Sequence, residues 1–99
     1  MNINRTPGFS LGARLLLCAE MVRPGALLAD IGTDHAYLPI WLFLHGKIPH
    51  AVAADVRPGP LQAAEENIRR WKAEEGVCTR LSDGLAAIRP EEAEDVVIA

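Results

Sequence analysis

The chain has 99 residues, of which 49% are hydrophobic and 23% charged, a composition that excludes disorder and is typical of one small folded domain. Its formal net charge of −3 excludes a general attraction to nucleic acid, and no apolar run approaches the roughly 20 residues that span a membrane. Cys18 and Cys78 lack a C-x-x-C spacing, which predicts two reduced thiols in a cytoplasmic protein. No His or Cys set has the spacing of zinc ligands, so we expect no metal site.

The first predicted element is a helix over residues 10–21, with Ser10 as its N-cap. Apolar residues recur at helical spacing and predict its buried face: Leu11, Leu15, Cys18 and Val22. Arg23-Pro24-Gly25 ends this helix. The continuous apolar run at 26–31 then predicts a strand that is buried on both faces.

Helices and strands continue to alternate after this first strand. The third predicted helix begins at Pro58 and ends near Gly76, and its buried face is predicted to be Leu61, Ala64, Ile68 and Trp71. The other elements are a helix at 37–45 closed by Gly46, a strand at 51–56, a strand at 77–81, a short helix at 85–88 and a strand at 95–99. The alternation predicts an α/β fold in which four parallel strands are joined by right-handed crossovers.

The predicted domain organisation is simple. We expect residues 1–25 to form an N-terminal helical segment and residues 26–99 to form the first part of an α/β domain. The sequence ends on the apolar tip of a predicted strand, whereas such a strand normally leads into a loop at the ligand edge. We therefore expect the chain to be the N-terminal part of a longer protein with an incomplete sheet.

Three consecutive predicted strands end in acidic residues. The groups are Asp30 with Gly32, then Asp55, then Asp83 with Gly84. Because the carboxyl ends of parallel strands meet at one edge of a sheet, these residues are expected to lie together. Ligands of open α/β sheets bind at that edge, so the pattern predicts a ligand site.

The turn after the first strand indicates the kind of ligand. A pyrophosphate site uses backbone N–H groups and a helix N-terminus and avoids fixed negative charge. The G-x-G-x-x-G pattern is absent, since Asp34 stands where the second glycine belongs. The two carboxylates of Asp30 and Asp34 suit a ligand that carries an ammonium group and ribose hydroxyls. S-adenosylmethionine (SAM) fits that description better than NAD or ATP.

Two other strand-end acids each have two interpretations. Asp55 follows Gly32 by 23 residues, a spacing at which an acid reaches ribose hydroxyls in nucleotide-binding folds. The alternative is a solvated acid at a strand end. Asp83, with Gly84 allowing close approach, lies either beside an adenine amino group or at the N-cap of the next helix.

The remaining residues of the first turn are also open to two interpretations. Asp30 and Asp34 either face the ammonium group or the reacting base, or cap the following helix. His35 either takes part in the chemistry or packs in the first helical turn, and Tyr37 either lines the cofactor or buries its ring.

A basic stretch with an aromatic residue at 68–72 could contact nucleic acid. Helical spacing places Trp71 with the core residues, and nearby glutamates neutralise the arginines, so a solvated helix face is favoured. Arg5 and Arg14 are better candidates for RNA contact.

Four stretches together resemble the TrmK family of bacterial SAM-dependent tRNA (adenine(22)-N(1))-methyltransferases. They are Leu11-Gly12-Ala13-Arg14-Leu15, Asp30-Ile31-Gly32-Thr33-Asp34-His35-Ala36-Tyr37-Leu38-Pro39, Asp55-Val56-x-x-Gly59-Pro60 and Ser82-Asp83-Gly84-Leu85. The similarity runs over essentially the whole chain. It covers the first part of the family's Rossmann-like catalytic domain.

The resemblance implies a class I methyltransferase core with SAM lying across the strand ends. Gly32 and its neighbours would approach the methionine part, Asp55 the ribose and Asp83 the adenine. The residues expected to contact the cofactor are Asp30, Gly32, Thr33, His35, Tyr37, Asp55, Val56, Asp83 and Gly84.

The activity that the resemblance implies is methyl transfer to N1 of an adenine in tRNA. Methylation makes the base cationic, so a nearby carboxylate would stabilise the product, with Asp30 the first candidate and Asp34 the second. The family's glycine-rich G-M-G-G segment and helical coiled-coil domain lie beyond these residues, so we expect tRNA to be held largely by regions outside this chain. The alternatives are a SAM-dependent methyltransferase of another substrate and a non-catalytic SAM-binding module.

Overall fold

The computed structural model describes residues 9–98. In chain order its elements are α1 (Ala13–Met21), β1 (Leu27–Ile31), α2 (Tyr37–Leu44), β2 (His50–Asp55), α3 (Pro58–Arg70), β3 (Val77–Leu81), a 3₁₀ turn (Pro90–Glu92) and β4 (Asp95–Ile98). Arg5 lies outside the described residues. No described helix is long and apolar enough to cross a membrane.

The four strands form one parallel sheet in the order β3-β2-β1-β4. Leu28 pairs with Ala51 of β2 on one side and with Asp95 of β4 on the other, so β1 is a central strand. The predicted α/β fold with a four-stranded parallel sheet and an N-terminal helix is therefore confirmed. All strand ends that carry acids lie at the same edge.

The main core lies between the sheet and the three helices. Leu28 of β1, with Ala51 and Ala53 of β2, packs there against α2 residues such as Leu38 and Ile40, all at most 3% exposed. The predicted buried residues of the α1 region pack in or against this core, as do Ala64 and Ile68 of α3, and Trp71 packs against its margin. Leu61 of α3 is also buried, at 8% exposure. Trp71 is thus a core residue, as the helical spacing predicts.

The opposite face of the sheet has a smaller core. Ala29 and Ala54 are fully buried there, and Ile88 and Ala93 of the segment before β4 pack against them. Both faces of β1 are covered, which confirms the prediction from its continuous apolar run. Strand β1 is therefore buried on both faces up to its last residues, Asp30 and Ile31.

The predicted N-cap at Ser10 is wrong. Helix α1 begins at Ala13, and Gly12 occupies the cap position without a side-chain hydrogen bond. The start is later than predicted because Phe9 and Leu11 pack against the core from an irregular segment before the helix. The Gly12 carbonyl then accepts the first helical hydrogen bond, from the N–H of Leu16 at 2.9 Å.

The predicted helix at 85–88 is also wrong. The segment forms turns in which the N–H of Ala86 bonds to the Asp83 carbonyl and that of Ile88 to the Leu85 carbonyl, each at 3.0 Å. A longer helix is prevented because Pro90 disfavours helical geometry at Arg89, whose ψ is 146°.

Gly76 has a different role from the predicted helix end. Helix α3 ends at Arg70, and Lys72 takes the left-handed conformation beyond it, with φ 57°. Gly76 directly precedes β3, where an added Cβ would lie 2.1 Å from Cε1 of Phe43. The glycine is required because the Phe43 ring occupies the space of a side chain.

We predict that Gly76→Ala lowers the free energy of unfolding by about 1–3 kcal/mol, since the Phe43 ring packs against the core and must shift. Urea denaturation measures the change. The matched control is Gly59→Ala in the first turn of α3, where an added Cβ meets nothing within 4 Å and no loss is expected. Equal effects of the two substitutions would contradict the assignment.

Candidate functional site

The turn that leaves β1 is held tightly to β2. The N–H groups of Gly32 and Thr33 both donate to the Ala54 carbonyl at 2.9 Å. Three residues in the turn have left-handed backbone, with φ of 74° at Gly32, 59° at Asp34 and 62° at Ala36. The N–H groups of Gly32 and Thr33 are not free, because both already donate to Ala54. The turn is therefore unlike a phosphate-binding loop, which offers free backbone donors to its ligand.

Asp30 is the buried acid of this turn. Its residue is 4% exposed, and its Oδ2 accepts a hydrogen bond from the Thr33 hydroxyl at 2.8 Å. Burial raises the pKa of Asp30 to about 6, the Thr33 hydrogen bond partly offsets that rise, and the charge of Asp55 adds to it. The carboxylate is therefore poised to change protonation near neutral pH.

Asp55 at the end of β2 is an oriented carboxylate with one unpaired oxygen. Its Oδ1 accepts bonds from the backbone N–H of Arg57 at 3.0 Å and from its Nε at 3.3 Å. Burial raises the pKa of Asp55, but the hydrogen bonds and charge of Arg57, together with the nearby backbone N–H of Asp34, outweigh it and leave the pKa below its usual value. Oδ2 is buried without a partner among the described residues.

The burial of Asp55 contradicts one of its two interpretations. At 3% exposure it is not a solvated acid. An unpaired buried acceptor costs about 1–3 kcal/mol, a cost that a ligand hydroxyl donating to Oδ2 would remove. The residue thus fits a group that binds hydroxyls.

A cavity of about 390 Å³ opens at the β1 end of this edge. Six of the predicted site residues line it: Asp30, Gly32, Thr33, Asp34, His35 and Tyr37. Four lining residues were not predicted as cofactor contacts: Arg14, Leu15, Leu38 and Arg57. The sequence signal for Arg57 was its position two residues after Asp55, at the entrance to α3.

Three exposed side chains stand at the mouth of the cavity. The Asp34 carboxylate lies 3.4 Å from Nδ1 of His35. The rings of His35 and Tyr37 stack, with centroids 5.4 Å apart and planes at 15°. Neither Asp30 nor Asp34 caps α2, whose cap residue is Ala36 without a side-chain hydrogen bond.

The four other predicted residues lie outside the cavity lining: Asp55, Val56, Asp83 and Gly84. Asp55 is buried beside the cavity residue Arg57, whereas Val56, Asp83 and Gly84 are exposed at the ends of β2 and β3. The Ser82 hydroxyl accepts a bond from the Ala87 N–H at 3.0 Å and donates to the Gly84 carbonyl at 2.7 Å. Ser82, rather than Asp83, therefore stabilises this turn, and the predicted capping role of Asp83 falls to its neighbour.

A family model described as a methyltransferase domain matches residues 11–99. The chain belongs to this methyltransferase-domain family. A Bacillus subtilis (strain 168) protein named tRNA (adenine(22)-N(1))-methyltransferase is 37% identical to this methyltransferase domain over 89 residues. That alignment covers 90% of the chain and 37% of the relative.

Two solved structures are similar throughout the domain. A Streptococcus pneumoniae protein described as a tRNA (m1A22) methyltransferase, in complex with S-adenosyl-L-methionine, is 41% identical with a TM-score of 0.85, covering 91% of this chain and 42% of that one. TrmK of M. capricolum, in complex with S-adenosyl-homocysteine (SAH), is 36% identical with a TM-score of 0.84, covering 90% and 41%. The resemblance to the TrmK family is confirmed, and the chain spans about two fifths of these relatives.

The raised pKa of Asp30 predicts a pH-dependent stability. The folded state binds this proton more tightly than the unfolded state, where the pKa is near 3.8, so the contribution of Asp30 falls as pH rises from about 4 to about 6. The fall amounts to about 3 kcal/mol. Asp30→Asn is expected to remove it, so that the variant gains stability over the parent at pH 8 relative to pH 4.

Urea denaturation of both proteins at pH 4, 6 and 8 measures this difference. Asp55→Asn is the matched contrast, because the lowered pKa of Asp55 gives a contribution that is present above its ordinary value and lost on acidification. It should therefore lose stability relative to the parent at pH 8. A difference for Asp30→Asn that does not vary with pH would refute the assignment.

Proposed function

We propose that this domain binds SAM at the β1–β2 end of the sheet and belongs to an enzyme that methylates N1 of an adenine in tRNA. The observation that carries the proposal is the buried, unpaired Oδ2 of Asp55 beside the acidic turn of β1. The names of the B. subtilis, S. pneumoniae and M. capricolum relatives support the reaction and the cofactor.

The described residues fit SAM by their chemistry. Asp55 would accept bonds from the ribose hydroxyls, and Asp30 or Asp34 would face the ammonium group. Gly32, together with Thr33, His35 and Tyr37, would lie along the methionine part. The adenine would lie toward β3, against Val56, Asp83 and Gly84.

When bound, SAM supplies an electrophilic methyl group on a sulfonium. The adenine N1 attacks through its own lone pair, so the protein needs to position the two groups rather than remove a proton first. The residue roles proposed for the chain are electrostatic, because the methylated base becomes cationic. Asp30 is the first candidate for stabilising that charge and Asp34, at the mouth of the cavity, is the second.

The raised pKa of Asp30 has a consequence for activity. With a pKa of about 6, Asp30 is mostly ionised at pH 7.5 and protonated at pH 5. Stabilisation of a cationic base therefore weakens on acidification.

The partner of the complete protein is tRNA, and its proposed setting is the cytoplasm, where the two free thiols Cys18 and Cys78 remain reduced.

Calorimetric titration with SAH tests the binding site. We expect Asp55→Asn to weaken SAH at least about 10-fold, because an amide replaces one charged acceptor of the ribose hydroxyls. Glu66→Gln on the exposed face of α3 is the control and should bind like the parent. A folded parent protein that does not bind SAH would overturn the cofactor proposal.

Methylation of tRNA by the complete protein tests the reaction. Mass spectrometry should detect N1-methyladenosine, and Asp30→Asn should lower kcat by about 10- to 100-fold with a smaller effect on KM, because the charge acts in the transition state. If Asp34→Asn has the larger effect on kcat, the two roles are exchanged. Methyl transfer to another molecule would favour the different-substrate enzyme, and SAH binding without transfer would favour the binding module.

A further inference from the structure

Arg57 lies between β2 and α3 and lines the cavity, yet the proposed function gives it no role. Two of its donors converge on one oxygen of Asp55. The backbone N–H of Arg57 lies 3.0 Å from Oδ1, and its Nε lies 3.3 Å from the same atom. Neither donor bonds to Oδ2, which is buried without a partner among the described residues. Arg57 therefore engages one side of the carboxylate and leaves the other side for a ligand.

The surroundings of Asp55 are otherwise mostly acidic. The ionisable groups on the neighbouring elements are Asp30 on β1, Asp34 and His35 on the β1–α2 turn, and Asp83 after β3. The three acids oppose a further negative charge at Asp55, whose side chain is only 2% exposed to water. Burial raises the pKa of Asp55, and the hydrogen bonds and charge of Arg57 lower it. The ionised form of Asp55 thus depends on its contact with Arg57.

The side chain of Arg57 has no other contact of this kind. Arg57 occupies the N-cap position of α3, but its side chain makes no capping hydrogen bond. Among residues 9–98 that side chain bonds to Asp55 alone. It is 67% exposed, and an ion pair with so exposed a partner adds little to the stability of a fold. The contact therefore serves the carboxylate rather than the helix.

A carboxylate that accepts bonds from ribose hydroxyls needs to be ionised and to present a free oxygen. We propose that Arg57 is a positioning residue that fixes the Asp55 carboxylate with Oδ2 free for the ribose hydroxyls of the cofactor, an inference that rests on the proposed SAM site. Arg57 acts through Asp55 and does not itself bind the cofactor. The family motif Asp55-Val56-x-x-Gly59-Pro60 leaves position 57 open, so this role goes beyond what the motif implies.

Calorimetry of the complete protein with SAH tests the proposal. At pH 7.5, Arg57→Gln should weaken SAH binding about 3- to 10-fold, because the charged donor is lost while the backbone N–H remains. The loss should be larger at pH 5, because Asp55 without the guanidinium takes up a proton at a higher pH than in the parent. Arg57→Lys should recover part of the affinity, because it restores the charge without the planar guanidinium.

A double-mutant cycle separates positioning from direct contact. In an Asp55→Asn background, Arg57→Gln should weaken SAH binding less than about 2-fold, because the carboxylate through which Arg57 acts is gone. Arg69→Gln, on the exposed face of α3, removes the same charge and is the matched control. It should bind SAH like the parent at both pH values.

The same loss in both backgrounds would overturn the proposal, because Arg57 would then contact the cofactor or support the fold. Unchanged SAH affinity of Arg57→Gln would overturn it as well, and so would a loss that does not increase at pH 5. Failure of the parent protein to bind SAH would instead refute the proposed function and, with it, this inference.

Discussion

The geometry of the site depends on the carbonyl of Ala54. It accepts hydrogen bonds from the N–H groups of both Gly32 and Thr33, each at 2.9 Å, at the point where β1 ends. That double contact ties the β1 turn to the last residues of β2. Asp30 and Asp55 are consequently held on neighbouring strands as one pair of buried acids, close enough for the charge of Asp55 to raise the pKa of Asp30.

The two acids differ because their partners differ. Asp30 receives one neutral hydroxyl donor, which does not offset its burial, whereas Asp55 receives two donors and a positive charge from Arg57. Their pKa values therefore move in opposite directions. The site therefore has one carboxylate that stays ionised and one that titrates near pH 6, so its negative charge depends on pH.

The sheet and most of the site were predictable because their signals are local. Apolar runs and strand-end acids place Asp30, Asp55 and Asp83 at one edge once the strands are parallel. The need for a glycine at position 76 and the place of Arg14 in the cavity lining were not predictable in the same way. The first depends on the position of Phe43, and the second on how α1 packs beside a turn that follows it in the chain. Both are consequences of tertiary contact, which residue spacing does not encode.

The N-terminus of helix α2 lacks the features that usually stabilise the start of a helix. Two aspartates precede it closely, yet it begins at Tyr37 without a side-chain cap, and its cap residue Ala36 is a fully buried alanine with φ 62°. A capping Asp would contribute about 1 kcal/mol, and a left-handed glycine would avoid strain. The carboxylates of Asp30 and Asp34 instead line the cavity. Stability is therefore sacrificed at the turn whose acids line the cavity, which is the pattern expected when local rules are broken for function.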